Sequence, residues 1–457
     1  MNVNVEPVSP IMEELSIYIA GAADRALPDA VVEKAKHHIL DTFAAMVSGA
    51  RLKPGRMAID YVERLGGRPE CTVIGAGFLT NPVNAALANG MHAHADETDD
   101  SHLGGRFHPG CGVVPGAYAA AELAGRSGTD LLRAVVLGYD IGVRFNLSMG
   151  PRKLYAGGHS THSVGTLFGA SAAAASLLGF TPAQTRHHLS YTVQQASGVQ
   201  CWIRDDQHIE KAFDFGGMTA RNALSAATMV ASGFTGVDDA LSGHNNFYSA
   251  FSTDPRPDAL VAGLGERFEI MEASIKKWCV GSPCQAALDS VTLLMQTHGI
   301  TAEMVAGATL VLPDDRAHLV DNRPMPNVNV QHLLSLALVD GGLTFEAAHD
   351  YARMSDPVLS DLRSRIELVY SPELTVAVPA RQARLTLRLR DGRELFHHTG
   401  AVKGTPANPM TRAEVSAKAL DLVAPILGAG RGQEMIDALL DIGTLADIRD
   451  LRPLMQF

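Results

Sequence analysis

Between Pro10 and about Thr235, apolar side chains recur every three or four positions. Ile11, Leu15, Tyr18 and Ile19 form one such run, and Val32, Ala35, Ile39, Leu40 and Phe43 another. That period is the signature of helices with one buried face. Asp29 stands ahead of the second run and Gly49 behind it, residues suited to starting and stopping a helix. The same texture predicts helices over 81–90, 116–124, 128–143, 161–178 and 181–196. Most of their apolar residues are Ala and Gly, which lets backbones approach closely, so the region reads as a helical bundle. A short strand is expected at 70–74.

After about Phe268 the pattern changes. Ala383, Leu385, Leu387 and Leu389 alternate with polar residues and run into Asp391-Gly392, the pattern of a half-buried strand ending in a hairpin. Another strand is expected over 306–312, with helices over 330–338 and 344–352 between the two. Thr411 followed by Glu414 is a capping box that restarts helix. The expected architecture is therefore mainly α. An all-helical domain occupies 1–269 and returns at 404–457, and an α/β domain over 270–403 is inserted into it.

Composition narrows the class. The chain has 457 residues, 46% hydrophobic and 19% charged, which is globular rather than disordered and long enough for two or three domains. Lys and Arg total 38 against 49 Asp and Glu, a net charge of −11. No Lys/Arg block interrupts that balance, which argues against a nucleic-acid or membrane-surface partner. Five cysteines without framework spacing point to a reducing compartment, and a cytoplasmic location is expected. The N-terminus lacks the basic and apolar regions of a signal peptide. The most apolar stretch, 169–179, is short of the ~20 residues a membrane crossing needs.

The densest chemistry lies between His92 and His108. There His92, His94, His102 and His108 stand among Asp96, Glu97, Asp99 and Asp100, with Gly and Pro nearby. A loop is expected, and loops of this kind carry function. A solvated acidic loop would not need to concentrate imidazoles. A metal centre on His92, His94, His102 and Glu97 is one reading, with His159 and His162 downstream as further donors. No His-Glu-x-x-His or paired Cys-x-x-Cys accompanies them, so the metal assignment is none. General acid–base chemistry is the other reading, because imidazoles beside carboxylates titrate near neutrality. Lys211, the lone lysine between Lys153 and Lys276, is the candidate basic partner. Arg106, Arg152, Arg204 and Lys276 could hold substrate carboxylates. Dinucleotide, P-loop and Gly-x-Ser-x-Gly patterns are missing.

Asn89-Gly90, His94 through Ser101, and His108-Pro109 resemble the signature of the MmgE/PrpD family. So do Gly158-His159-Ser-Thr161 with Gly165, Lys211 with Gly216, and Gly233-Phe-Thr-Gly236. Met325-Pro326, Asp340-Gly341 and Asn408-Pro-Met410 extend the similarity along nearly the whole chain. The resemblance implies a lid made by the inserted domain, a homodimer, no metal and no organic cofactor. It also implies a small di- or tricarboxylate substrate and a lyase of the 2-methylcitrate dehydratase kind. An epimerase of a dicarboxylate such as iminodisuccinate is the alternative, and decarboxylation of a cis-aconitate-like acid stands third.

Carried over by position, the family's site residues fall on Glu97, Ser101, His108, His159, Thr161 and Lys211. Lys211 and His159 are expected to move protons and stabilise charge. His108, oriented by Glu97, is the expected acid, while Ser101 and Thr161 contact substrate. On the inserted domain Lys276 would bind a carboxylate. There the chain also departs from the family: Asn329 and His332 stand where decarboxylase-like members have Ser and Tyr, and Gln285 where many have His. These three are expected at the substrate.

Overall fold

Helices dominate the described residues up to Ala273. They span Pro10–Ala20, Asp29–Gly49, Pro82–Ala93, Gly110–Ala124, Gly128–Ser148, Thr161–Leu177, Pro182–Gln194 and Met218–Ala231. The structure is a computed structural model that describes residues 7–457. The helices expected in this part of the chain are present, the one expected later over 344–352 shortens to Phe345–His349, and the fold class is mainly α. The starts follow local chemistry. Asn81 accepts a hydrogen bond from the amide of Asn84, and Ser127 with Asp130 and Thr181 with Gln184 close capping boxes.

The Ala/Gly content serves close crossing. Gly142 on Gly128–Ser148 faces the Gly165 carbonyl, and Gly138 faces Gly169, at separations where a β-carbon would collide with backbone. The Thr161–Leu177 helix is consequently enclosed, and every residue in it but His162 is buried. A helix apolar on all sides belongs in such a position. The expected strand over 70–74 contracts to Cys71–Thr72, paired antiparallel with Leu79–Thr80.

The last residues of the chain pack on this same helical unit. The amide of Gly128 donates to the carbonyl of Leu445 at 2.9 Å, and that of Ile448 to Arg126 at 2.8 Å. Arg452 Nε reaches Glu122 Oε1 at 2.7 Å. Buried Glu122 also accepts from the amide and hydroxyl of Thr72, both at 2.7 Å. Unit one is thus the residues up to Ala273 plus Leu422–Phe457, and unit two is Ser274–Asp421.

The second unit holds a four-stranded sheet in the order Ile366–Ser371, Val305–Pro313, Ala383–Leu389, Glu394–Thr399. The first pair is parallel, with Leu310 opposite Leu368, and the other two pairs are antiparallel. A parallel pair needs a crossover, and the chain between them supplies the helices Val330–Asp340 and Pro357–Ser364. Leu310, Leu312, Leu385 and Leu387 face a core shared with Gln285–His298 and Val330–Asp340. The hairpin at Asp391-Gly392 joins the last two strands.

The boundaries differ from those expected from sequence. The first lies at 273/274 rather than 269/270, and the second at 421/422 rather than 403/404. It falls inside the helix Arg412–Leu427, because the first turns of that helix are tied to the sheet unit. Glu414 pairs with Lys403 at 2.9 Å, and Asp421 accepts from the amide of Phe345 at 2.8 Å. Among the described residues no helix is long and apolar enough to cross a membrane.

Candidate active site

The loop that follows Pro82–Ala93 carries four carboxylates, and each turns to different partners, Asp96 to the amide and hydroxyl of Thr98. Asp100 points into the bundle. His38 Nδ1 and the Tyr139 hydroxyl each donate to it at 2.6 Å, and the amide of Gly110 at 2.9 Å. Burial, the largest influence, pushes the Asp100 carboxyl up, but the interactions with His38 and Tyr139 together outweigh it and hold the group below its usual range. This residue clamps the loop to the start of Gly110–Ala124.

Asp99 points the other way. It is fully buried and takes two imidazoles at once: His94 Nδ1 at 2.8 Å on one oxygen and His108 Nδ1 at 3.1 Å on the other. With both Nδ1–H groups donated to the carboxylate, each ring is left with Nε2 for chemistry. Glu97, meanwhile, forms a close ion pair with Lys211. The expectation that Glu97 orients His108 is therefore corrected. In an irregular loop neighbouring carboxylates diverge, and Asp99 is the one turned towards the histidine.

Lys211 lies on the short helix Ile209–Ala212, which runs into a π-helical turn at Phe213–Gly217. Such turns often occur at functional sites. Gly216 packs against the Gly90 carbonyl at a distance no β-carbon allows, so the turn lies directly on Pro82–Ala93. The turn presents Phe215. His162 stacks on Phe215 at 3.7 Å between centroids and His94 at 4.3 Å. Two rings at those separations cannot share one face, so Phe215 lies between them. Trp202 meets Phe215 edge-on at 4.8 Å, and Lys211 Nζ lies 5.7 Å from the Trp202 ring and 5.3 Å from Phe215. The ammonium thus sits against an aromatic wall that excludes water and favours a cation.

Of the residues expected at the site, the structure brings together Lys211, Glu97 and His108. His159 precedes the Thr161–Leu177 helix, and its ring lies 6.0 Å from that of Phe251 between centroids. Thr161 is buried and donates its hydroxyl to the Arg106 carbonyl at 2.6 Å. Ser101 is buried in the two-residue strand Ser101–His102. In the sheet unit, the Gln285 amide is used within its own loop, donating to the carbonyls of Trp278 at 2.7 Å and Val280 at 3.1 Å. Asn329 caps Val330–Asp340 by accepting from the amide of His332 at 2.9 Å. Lys276 and His332 are buried, and burial brings His332 down to about 4.

His94, Asp99, His162, His208 and the ring of Phe215 were not assigned to the site from the sequence. The signals were present: His162 stands three residues after His159, and His208 three before Lys211. His208 adopts the left-handed region at φ 60°, uncommon for a side chain of this size. That backbone turns its ring to within 5.1 Å of His94.

The metal set considered from sequence is not assembled. His102 turns to Glu269 at 3.6 Å and accepts from the amide of Gly105 at 2.9 Å. Among the described residues the one group of three metal-type donors is His94, Asp99 and Cys111. Within it His94 and Asp99 are bonded to each other, and burial together with Asp99 and Asp100 holds the Cys111 thiol well above its usual range.

Asp214, on the π turn, accepts from the Ser160 hydroxyl at 2.5 Å. Burial raises its carboxyl to about 7 despite that bond. An unfolded Asp loses its proton near ~3.9. Between ~4 and ~7 the unfolded chain releases this proton first, so the contribution of Asp214 to stability falls as pH rises and levels off above ~7. Asp214→Asn is therefore expected to melt above the wild type by a margin several degrees larger at about pH 8 than at about pH 5. Thermal melts at the two pH values check this, and an equal margin at both would contradict it.

Similarity to known proteins extends over nearly the whole length. The MmgE/PrpD N-terminal domain model matches residues 13–260, and the MmgE/PrpD C-terminal domain model matches residues 278–442. A cis-aconitate decarboxylase-like protein of Aspergillus oryzae is 25% identical, with 98% of each chain covered. The cis-aconitate decarboxylase of Aspergillus terreus is 24% identical over 98% of this chain and 96% of its own. That of Homo sapiens is 24% identical over 98% and 94%.

Proposed function

Because the chain belongs to the MmgE/PrpD family, we propose that its helical unit houses a lyase acting beside a carboxylate of a small di- or tricarboxylic acid. The observation that carries this reading is Asp99 holding His94 and His108 by their Nδ1 atoms in the unit that also holds Lys211. Bond cleavage beside a carboxylate passes through a carbanion- or enediolate-like state. That state needs a positioned proton donor or acceptor and a fixed cation for the developing charge.

In this reading His108 Nε2 delivers or removes the proton, and Asp99 fixes its tautomer and stabilises the imidazolium. Lys211 leaves Glu97 for a substrate carboxylate and holds the charge as it grows. Ser101 and Thr161 remain proposed substrate contacts and His159 a proposed proton-transfer group, each reached by side-chain rotation.

Two reactions fit this machinery. Loss of CO2 is favoured by the activity named for the relatives at 24–25% identity. Loss of water, the dehydratase reading, requires the same groups with the acid serving a leaving hydroxyl. One experiment separates them. Purified protein is incubated in D2O with cis-aconitate, with citrate-like hydroxy acids and with amino-dicarboxylates. CO2 release marks a decarboxylase, new C=C absorbance a dehydratase, and deuterium uptake without change of constitution an epimerase. Absence of any lyase product from the whole panel would contradict the proposal.

A further inference from the structure

Three imidazoles from separate segments meet around Phe215, and a fourth, His208, joins them through His94. His94 comes from the end of Pro82–Ala93, His108 from the turn before Gly110–Ala124, His162 from the first turn of Thr161–Leu177, and His208 from the edge of Ile209–Ala212. Their centroids run in a chain, 5.1 Å from His208 to His94, 5.2 Å to His108 and 5.3 Å to His162. Three buried ring nitrogens, His94 Nε2, His162 Nδ1 and His208 Nε2, have no hydrogen-bond partner among the described residues. Buried polar atoms are nearly always partnered, and each exception asks for an explanation. Three in one cluster point to a ligand.

The protonation of the rings decides what that ligand brings. His94 gives its Nδ1–H to Asp99, so a neutral His94 offers only a lone pair at Nε2. A carboxylate has only acceptors, and two acceptors repel. The ring can bond a carboxylate oxygen through Nε2 only after taking a proton there. His162 and His208 face the same constraint at any unpartnered nitrogen that is not already N–H.

The surrounding protein groups hold those protons off. Burial is the main cause for His94, His162 and His208, and repulsion within the cluster and from Lys211 adds to it. The opposing charges are Asp99 facing His94, His108 and His162, and Glu97 with Asp96 facing His208. Cys111 contributes no charge while its thiol is protonated. A polyanion entering this cluster would reverse the balance.

We propose that a polycarboxylate enters this histidine cluster only together with protons from solvent, taken up on imidazole nitrogens that meet its carboxylate oxygens. Affinity for a di- or trianionic acid is then coupled to pH, and a neutral or monoanionic acid gains little. The inference rests on the polycarboxylate reading above and adds the means by which charge is recognised.

Calorimetric titration with propane-1,2,3-tricarboxylate, a saturated and unreactive probe, tests it. Apparent binding enthalpy is measured near neutral pH in two cationic or zwitterionic buffers of different ionisation enthalpy. The expected slope corresponds to uptake of about one proton or more per ligand, and affinity should fall up to ~10-fold per pH unit above neutrality for each proton taken up. A His162→Gln/His208→Gln double variant, shown folded by circular dichroism, should still bind but lose at least about half of the uptake. Asp214→Asn should keep it, which excludes the carboxyl on the neighbouring π turn as the proton acceptor. Binding with no buffer dependence, or uptake unchanged in the double variant, overturns the inference and leaves the polycarboxylate reading standing. If neither this probe nor cis-aconitate binds the wild type at millimolar concentration, the polycarboxylate reading fails and the inference fails with it.

Discussion

Asp99→Asn will lower turnover by about 10²–10⁴-fold while the protein stays folded. The carboxylate accepts one imidazole N–H on each oxygen, at 2.8 and 3.1 Å. An amide of the same shape has a single oxygen. One ring keeps its bond, and the other faces an NH2 group, which forces its tautomer to reverse and turns a hydrogen-bearing Nε2 outward. Half the dyad then carries its proton at the wrong atom, and the imidazolium formed during reaction loses its counter-charge. Asp99 acts through the rings, so a rate loss alone would not separate positioning from loosened packing. The pH–rate profile does: the limb assigned to imidazole should move to lower pH in the variant, because the neighbouring negative charge is gone. A turnover within a few fold of wild type, with an unmoved profile, would remove Asp99 from the mechanism.

The second large effect concerns Lys211. Lys211→Ala should cost about 10²–10⁴-fold in kcat and also raise KM. The two losses have different origins. Turnover falls because the cation that holds developing charge is gone. Binding falls because Glu97, deprived of its ion pair with Lys211, confronts an anionic substrate with a negative charge whose neighbouring cation is gone. Glu97→Gln in the Lys211→Ala background should therefore recover much of KM and little of kcat, a non-additivity that a double-mutant cycle measures. Lys211→Arg keeps the charge but not the compact point-like ammonium seated against Trp202 and Phe215, so it should rescue poorly. If Lys211→Ala retained near-full kcat on the true substrate, the assignment of charge stabilisation would be wrong.

Much of the architecture is readable from local pattern because local chemistry determines it. The capping box at Thr411 and Glu414 forms as written, with the Thr411 amide donating to Glu414 at 2.8 Å. The strand Ala383–Leu389 alternates buried and half-buried residues along its whole length. Ile366–Ser371 escapes the same logic. It is one buried residue followed by mostly exposed or half-exposed ones, so its apolar side chains show no two-residue period, and only its parallel partner makes it a strand. The unit boundary at 421/422 is hidden for a related reason, since a helix that continues across it gives no break in composition.

The site was half legible. Lys211, His108 and Glu97 stand out as residue types, and the structure places all three in the helical unit around the His94–Phe215 stack. Which carboxylate serves which partner was not readable. Asp99, Asp100 and Glu97 lie within four positions of one another yet turn to a histidine pair, to His38 with Tyr139, and to Lys211. In a loop there is no period from which to infer direction. His162 stands out from sequence only as a possible metal donor and His208 not at all, because their place here comes from packing on Phe215 and on His94, contacts between segments far apart in the chain.

The most direct measurement of the account is the position of a bound acid. A crystal structure with propane-1,2,3-tricarboxylate should show one carboxylate at the Lys211 ammonium, displaced from Glu97, and another within hydrogen-bond reach of an imidazole nitrogen of His94, His108, His162 or His208. Electron density for the acid elsewhere in the protein, with the Glu97–Lys211 pair and the four rings undisturbed, would contradict the assignment of this cluster as the active site.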